Sequence, residues 1–214
     1  MPRPEDDSMI KPMKKSFKKI QAGYARFRQK YVEGDNDTML RLAHRGQNPD
    51  IMVVACSDSR VDPALILQAD PGDLFIVRNV ANIIPPYEKD DRHHGTSAAL
   101  EFGICYLNVK HLVILGHAQC GGMNARLHEE SLHQDDFISN WVSVIDNDET
   151  ERNTDRFAQK ALFNSYQNCL SFPWIKSRID EGKLKVHLWF FDIETGTVLA
   201  YDEKQHAFTS LDSL

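Results

Sequence analysis

The stretch that decides the fold is residues 51–60, IMVVACSDSR, in which an unbroken apolar run ends abruptly in polar side chains. Such runs are typical of parallel strands buried on both faces, because a half-exposed strand alternates apolar and polar residues. Two more apolar runs follow, at 74–77 and 112–115, and residues 96–107 lie between them. That segment carries apolar side chains at helical spacing: Ala99, Phe102, Gly103 and Tyr106. Strand, helix and strand in this order predict a parallel sheet with right-handed crossovers.

The chain after Cys120 is predicted to be mainly helical and to close with two strands. Helices are expected over residues 137–145, 154–170 and 173–182, and strands over 184–191 and 198–201, joined by a hairpin. The sequence therefore predicts an α/β fold with a mostly parallel central β-sheet flanked by helices.

The segment before the first strand carries an apolar stripe at steps of three and four residues, typical of one helix face. Its members are Phe17, Ile20, Tyr24, Phe27 and Tyr31. The rest of the chain or a second subunit has to cover such a stripe. We expect one domain over residues 1–214, with an N-terminal helical arm at 1–45 and an α/β core at 46–214.

Charge and apolar content argue against several classes of partner and location. The 214 residues carry a formal net charge of -6, and the sequence pI is about 5.8, which argues against a nucleic-acid partner. No apolar run approaches the roughly 18 residues of a membrane helix, so no membrane partner is expected. The first fifteen residues lack the apolar region of a signal peptide, and we expect a cytoplasmic protein.

Two polar clusters follow two of the predicted strands. Residues 56–60, CSDSR, come directly after the first strand, and residues 117–122, HAQCGG, follow the third. Because ligands gather at the carboxyl ends of parallel strands, the two clusters can meet although they are far apart in sequence. Cysteine and histidine together favour Zn²⁺. Cys56, His117 and Cys120 would leave a fourth position for water, which is the catalytic form of a zinc site.

Asp58 and Arg60 can complete such a centre. Asp58 can accept a hydrogen bond from the reacting water, and Arg60 can hold Asp58 ionised through a paired contact. The alternative is that the two residues only fix a loop at a helix start.

The remaining candidates are weaker. Cys105 and Cys169 lie in predicted helices and are expected to be core cysteines. His93-His94 could be a second metal site or a proton shuttle, although a solvent-facing pair is the simpler interpretation. Cys56 could instead be a redox or nucleophilic thiolate, which would not explain the His-x-x-Cys pair.

These motifs resemble those of the β-class carbonic anhydrases, over about residues 40–202. The supporting residues are Cys56-Ser57-Asp58-Ser59-Arg60, Pro71-Gly72, Arg78-Asn79-Val80-Ala81-Asn82, Gly116-His117 and Cys120-Gly121-Gly122. Residues 79–87, NVANIIPPY, and Gly95-Thr96 are closer to the plant-type branch. The resemblance implies one Zn²⁺ per subunit on Cys56, His117 and Cys120, with Asp58 and Arg60 as the catalytic pair.

The resemblance also implies a substrate pocket and an assembly. Gln47 would donate to a substrate oxygen, together with the amide of Gly121. Val61, Phe75 and Val80 would form the apolar wall, and Phe102 stands where the family usually has a tyrosine. The expected reaction is the reversible hydration of carbon dioxide to bicarbonate by a zinc-held hydroxide. The expected assembly is a homodimer or homotetramer, with N-terminal helices wrapping the partner.

Two rival functions remain open at the level of sequence. One is hydrolysis of carbonyl sulfide or carbon disulfide on the same zinc site. The other is a non-catalytic, zinc-binding regulatory protein, which would have a closed site with four ligands.

Overall fold

The computed structural model describes residues 7–34, 36–133, 135–148 and 150–213. The chain divides into two compact units, Met1–Gln47 and Asn48–Leu214. The first six residues of the predicted N-terminal arm lie outside the described residues.

The first unit contains two helices, α1 (Asp7–Tyr31) and α2 (Thr38–Arg45). The strands of the second unit are β1 (Ile51–Cys56), β2 (Leu74–Asn79), β3 (His111–His117), β4 (Lys185–Phe191), β5 (Val198–Asp202) and β6 (Ala207–Ser210). Its helices are α3 (Pro63–Ile66), α4 (Gly95–Glu101), α5 (Gly121–Leu127), α6 (Phe137–Val142), α7 (Thr154–Ser171) and α8 (Pro173–Asp180). Short 3-10 turns follow β2 at Val80–Asn82, α5 at Glu129–Ser131 and β6 at Leu211–Ser213.

The sheet has the strand order β2-β1-β3-β4-β5-β6. Strands β1 to β4 pair in parallel, whereas β5 and β6 are antiparallel to their neighbours. The prediction of a mostly parallel sheet is therefore confirmed. Because β1 and β3 are parallel neighbours, the ends of β1 at Cys56 and of β3 at His117 lie at the same edge of the sheet.

Both faces of the central strands are buried, which explains their unbroken apolar runs. Fully buried residues on one face include Met52, Val54, Leu112 and Ile114, and those on the other include Val53 and Ala55. Helices α4, α5 and α7 supply buried side chains to the first face, among them Leu100, Met123 and Leu162. The sheet edge that carries the polar clusters is thus held by a packed core.

The helix predicted over 96–107 ends differently from the expectation. α4 passes into a π-helical turn, Phe102–Tyr106, in which the amide of Leu107 donates to the carbonyl of Phe102. The buried side chains here are those of Leu100 and Ile104, whereas Phe102 is 43% and Tyr106 70% exposed. The wider turn changes the angle between residues, so α-helical spacing grouped the buried Gly103 with the exposed Phe102 and Tyr106.

The two cysteines expected in the core differ. Cys169 of α7 is fully buried, which confirms the expectation. Cys105 lies in the π-helical turn and is exposed, so the prediction for this residue was wrong. It follows Gly103 and Ile104, the buried residues of that turn, and is itself on the outward side.

Helices α2 and α3 and strand β6 are among the elements that were not predicted from sequence. Strand β6 extends the sheet by pairing antiparallel with β5, with Leu199 opposite Ser210. Within the part of the chain that the structure describes, no helix is long and apolar enough to cross a membrane.

Candidate metal centre

Three predicted ligands meet at the carboxyl ends of β1 and β3. The sulfurs of Cys56 and Cys120 are 4.0 Å apart. One donor atom each from Cys56, His117 and Cys120 lies within 4.8 Å of the other two, and all three residues are buried. Among the described residues, this is the one cluster of three or more histidine, cysteine or carboxylate side chains that can hold a metal ion.

The hydrogen bonding of His117 shows which of its ring nitrogens has a lone pair available for a metal ion. Its Nδ1 lies 2.8 Å from the carbonyl oxygen of Ala118, and because a carbonyl only accepts, Nδ1 carries the proton. Nε2 is therefore the nitrogen with the lone pair. It is buried and has no hydrogen-bond partner within the described residues, an arrangement that costs free energy unless something binds it.

The two cysteines share one hydrogen bond. The hydrogen bond from the Cys120 side chain is the main cause that lowers the pKa of Cys56 to about 4, and His117 makes a smaller contribution. The same contact, followed by burial, raises the pKa of the Cys120 thiol. The backbone amide of Ala81 also donates to the Cys56 sulfur at 3.4 Å. These contacts favour the thiolate form of Cys56 over its thiol.

This donor set fits zinc. Two sulfurs, each at about 2.3 Å from one tetrahedral zinc, would be about 3.8 Å apart, close to the observed 4.0 Å. An imidazole nitrogen with a free lone pair and two sulfurs are ligands that Zn²⁺ prefers. The backbone carbonyl that fixes the His117 tautomer is the kind of outer partner that metal-ligating histidines have.

Asp58 and Arg60 form a bidentate pair next to this centre. Arg60 Nε donates to Asp58 Oδ1 at 3.0 Å and Nη2 donates to Oδ2 at 2.7 Å. The Arg60 side chain is the main cause that holds the pKa of Asp58 well below its usual range. Arg60 also donates to Gln119, which lies between the two ligands of the second cluster.

Arg78, at the end of β2, supports the loop that carries the first ligand. Its Nε donates to the carbonyl of Cys56 at 2.9 Å, and its Nη2 donates to the carbonyl of Asp58 at 2.7 Å. Its Nη1 donates to Asp62, whose carboxylate also caps α3. From sequence, Arg78 was identified only as part of a motif, without a role of its own; a cation at the end of an apolar strand was the available signal.

The residues of the predicted substrate pocket fall into separate groups. Phe75 and Phe102 contact each other, with ring centroids 5.8 Å apart. Val80 is 39% exposed, whereas Val61 is only 1% exposed and belongs to the core. Gln47 is the last residue of the first unit.

Gly121 and Gly122 open α5 directly after Cys120. A Cβ atom at Gly122 would lie 2.8 Å from both Val80 Cγ1 and Ala81 Cβ, so only glycine fits there. Because Ala81 also donates to the Cys56 sulfur, this close contact places the Val80–Asn82 turn against the metal centre. The turn contains Ala81 at a φ of 65°, a conformation that non-glycine residues seldom adopt.

The loop histidines do not form a second centre. His94 Nε2 lies 2.7 Å from Asp90 Oδ1, and His93 is exposed. His93 therefore agrees with the solvent-facing interpretation, whereas the side chain of His94 is only 27% exposed.

Fold and site together define a class: an α/β domain with a mostly parallel sheet and a three-residue metal centre at its strand ends. A model of the carbonic anhydrase family matches residues 51–198. The chain therefore belongs to the carbonic anhydrase family, in its β class; the family is that of the carbonate dehydratases, which are lyases.

Individual relatives agree with this. A carbonic anhydrase of Synechocystis is 36% identical over 203 residues, which are 89% of this chain and 73% of that protein. Beta carbonic anhydrase 3 of Arabidopsis thaliana is 33% identical, over 85% of this chain and 75% of that protein. The resemblance to the family, plant members included, is thereby confirmed.

Solved structures share the fold. The β-carbonic anhydrase CcaA aligns with a TM-score of 0.82 and 34% identity, over 91% of this chain and 99% of that chain. A tetrameric β-carbonic anhydrase of Sordaria macrospora aligns with a TM-score of 0.73 and 28% identity, over 93% and 99% of the two chains.

Proposed function

We propose that this protein catalyses the zinc-dependent, reversible hydration of carbon dioxide to bicarbonate and a proton. One Zn²⁺ per subunit would be held by Cys56, His117 and Cys120. The observation that carries the proposal is the buried Nε2 of His117, which lies beside two sulfurs and has no hydrogen-bond partner in the described part of the chain. Three protein ligands leave a position for water, which distinguishes a catalytic zinc site from a structural one.

Zinc, when bound, would lower the pKa of a water so that a nucleophile is present near neutral pH. Asp58 stays ionised because Arg60 pairs with both of its oxygens, and its carboxylate can accept a hydrogen bond from the reacting water. Arg60 leaves Asp58 acceptor capacity, because a carboxylate has about four lone-pair sites. The pair would therefore orient the water without giving it a proton.

The substrate would lie against apolar side chains. We assign Val61, Phe75, Val80 and Phe102 to the wall, and Gln47 with the amide of Gly121 to the oxygen that gains charge during the reaction. Val80 is supported by its position against Gly122 beside Cys120, where a Cβ atom would lie 2.8 Å from Val80 Cγ1. Phe102 has no hydroxyl, so hydrogen bonding to substrate at this position is not part of the proposal.

A homodimer or homotetramer is part of the proposal. The tetrameric relative supports it, and so does the α1 stripe, where Phe17, Ile20 and Tyr24 are each more than 60% exposed. Sedimentation of the purified protein tests it, and a fully active monomer would contradict it. A cytoplasmic location stays a prediction of the sequence.

Stopped-flow hydration of carbon dioxide by the purified protein is the direct test, combined with metal analysis. We expect about one zinc per chain, and activity that a chelator removes and zinc restores. A folded, zinc-loaded protein without hydration activity would contradict the proposal. Release of sulfide from carbonyl sulfide, measured on the same sample, tests the rival hydrolase; a fourth protein ligand with no activity would favour the non-catalytic zinc protein.

A further inference from the structure

Gln119 holds a demanding backbone position between two of the proposed zinc ligands. It separates His117 from Cys120 by a short turn and has a φ of 54°, in the left-handed region that favours glycine. A glutamine remains there only if its surroundings hold it, since this conformation is unfavourable for residues with a Cβ.

Gln119 is held from two sides. Its backbone amide donates to Asp155 Oδ1 at 2.6 Å. Its carbonyl oxygen accepts from Arg60 Nη2 at 3.2 Å, and its side-chain Oε1 accepts from Arg60 Nη1 at 3.4 Å. The same guanidinium donates two shorter hydrogen bonds to the carboxylate of Asp58. An unbroken chain of contacts therefore runs from Asp155 through Gln119 and Arg60 to Asp58.

Asp155 is itself fixed by helix α7. It lies in the first turn, where the Asn153 side chain caps the helix by accepting from the amides of Asp155 and Arg156. The helix is anchored in the core two residues later by Phe157, which is 2% exposed. A carboxylate on a capped and packed helix is a firm point from which to hold a loop.

We propose that Asp155 is a positioning residue for the reacting centre. By holding the amide of Gln119, it fixes the two oxygens against which Arg60 rests, and through Arg60 it fixes the carboxylate of Asp58. This rests on the proposed function, in which Asp58 orients the reacting water. Asp155 itself touches no ligand and no substrate.

The first test compares two substitutions at Asp155. Asp155→Ala removes the acceptor, and we expect kcat to fall about tenfold, as for other outer-shell partners, with the zinc content unchanged. Asp155→Asn keeps an oxygen that can accept from Gln119, and it should restore most of the rate. Asp180→Ala, at an exposed aspartate of α8 paired with Lys176, is the matched control and should behave as wild type.

A double-mutant cycle with Arg60 shows whether Asp155 acts through it. In an Arg60→Ala background, Asp155→Ala should cause no further loss, because the chain of contacts is already broken. Wild-type kcat for Asp155→Ala, equal damage from Ala and Asn, or an undiminished effect in the Arg60→Ala background would each overturn the proposal.

A spectroscopic arm separates this proposal from the proposed function. In the zinc-loaded protein, Asp155→Ala should shift the amide signal of Gln119 and the side-chain Nε–H signal of Arg60 in proton–nitrogen NMR spectra, whereas Asp180→Ala should shift neither. Unmoved Arg60 signals would refute the positioning role even if the enzyme hydrates carbon dioxide. A wild-type protein without hydration activity would refute the proposed function and leave this coupling measurable.

Discussion

Strand β3 begins and ends in a histidine, and the two differ in what their ring nitrogens bind. His111, at the start, pairs with His187 of β4, with Nδ1 and Nε2 3.1 Å apart. His117, at the end, uses Nδ1 on a backbone carbonyl and leaves Nε2 buried beside two sulfurs with no partner among the described residues. The strand has thus brought one histidine to a polar partner and the other to a buried position beside two sulfurs, where a shared metal ion would satisfy it.

The difference shows that burial and histidine content are poor guides to a metal site. The His111–His187 pair gathers two imidazoles, yet within the described residues no third donor joins them. At the other end of the strand, the single imidazole of His117 is a candidate ligand. Its Nδ1 is fixed as a hydrogen-bond donor, and its Nε2 lies beside the two cysteine sulfurs. The hydrogen-bond partner of each ring nitrogen distinguishes the candidate metal ligand His117 from the His111–His187 pair.

The largest expected effect is loss of the metal. His117→Ala or Cys120→Ala removes one of three ligands. Loss of a residue that only hydrogen-bonds a ligand lowers metal affinity by up to about a hundredfold, so loss of a ligand itself should lower zinc affinity by at least that factor. Hydration activity should fall to near background. Zinc content after dialysis against a weak chelator, measured by mass spectrometry, checks this.

The matched controls come from outside the metal centre. His111→Ala removes the histidine at the opposite end of the strand, and Cys169→Ala removes a buried cysteine of α7. Both should keep zinc, even where they cost stability. If His111→Ala lost zinc as readily as His117→Ala, the contrast between the two histidines would be wrong.

A smaller effect is expected at the catalytic pair. Asp58→Ala should keep zinc and lower kcat by about 10²–10⁴-fold, the range of general acid–base groups, because the reacting water loses its acceptor. Asp50→Ala is the control at the other end of the sheet, where the carboxylate pairs with Lys110 and is 58% exposed. Wild-type turnover by a zinc-loaded Asp58→Ala enzyme would exclude the orienting role.

The smallest effect concerns stability against pH at the histidine pair. Burial, followed by the neighbouring His111 and Lys185, lowers the pKa of His187 to about 4. The unfolded chain binds this proton near pH 6.5, so the free energy of unfolding falls as the pH drops from 6.5 towards 4. We expect His187 to account for a loss of about 1 kcal/mol between pH 7 and pH 5, with allowance for its partial exposure.

Urea unfolding at the two pH values measures this. His187→Gln, which cannot take up the proton, should lose less stability than wild type between pH 7 and pH 5. An unchanged difference between the two pH values would show that His187 is not the group responsible.

Sequence patterns predicted the frame well where burial was complete. The runs that became β1 and β3 are buried on both faces, so their composition alone identified them. The run that became β2 was identified in the same way, although its residues are only partly buried. The π-helical turn after α4 was missed because spacing assumes a constant angle per residue, and the predicted apolar set therefore combines the buried Gly103 with the exposed Phe102 and Tyr106. Asp155 carried no signal, since an aspartate early in a helix is ordinary.

By itself, the sequence determined the chemical types and their order along the chain: thiol, carboxylate and guanidinium after one strand, imidazole and thiol after another. Tertiary structure decided that β1 and β3 are neighbours, that His117 presents Nε2, and that Arg60 rests on Gln119. The physical reason is the separation along the chain of the residues that determine each property. A side chain's chemistry and its local period are written in adjacent residues, whereas a hydrogen bond between distant segments depends on which strands and helices pack together.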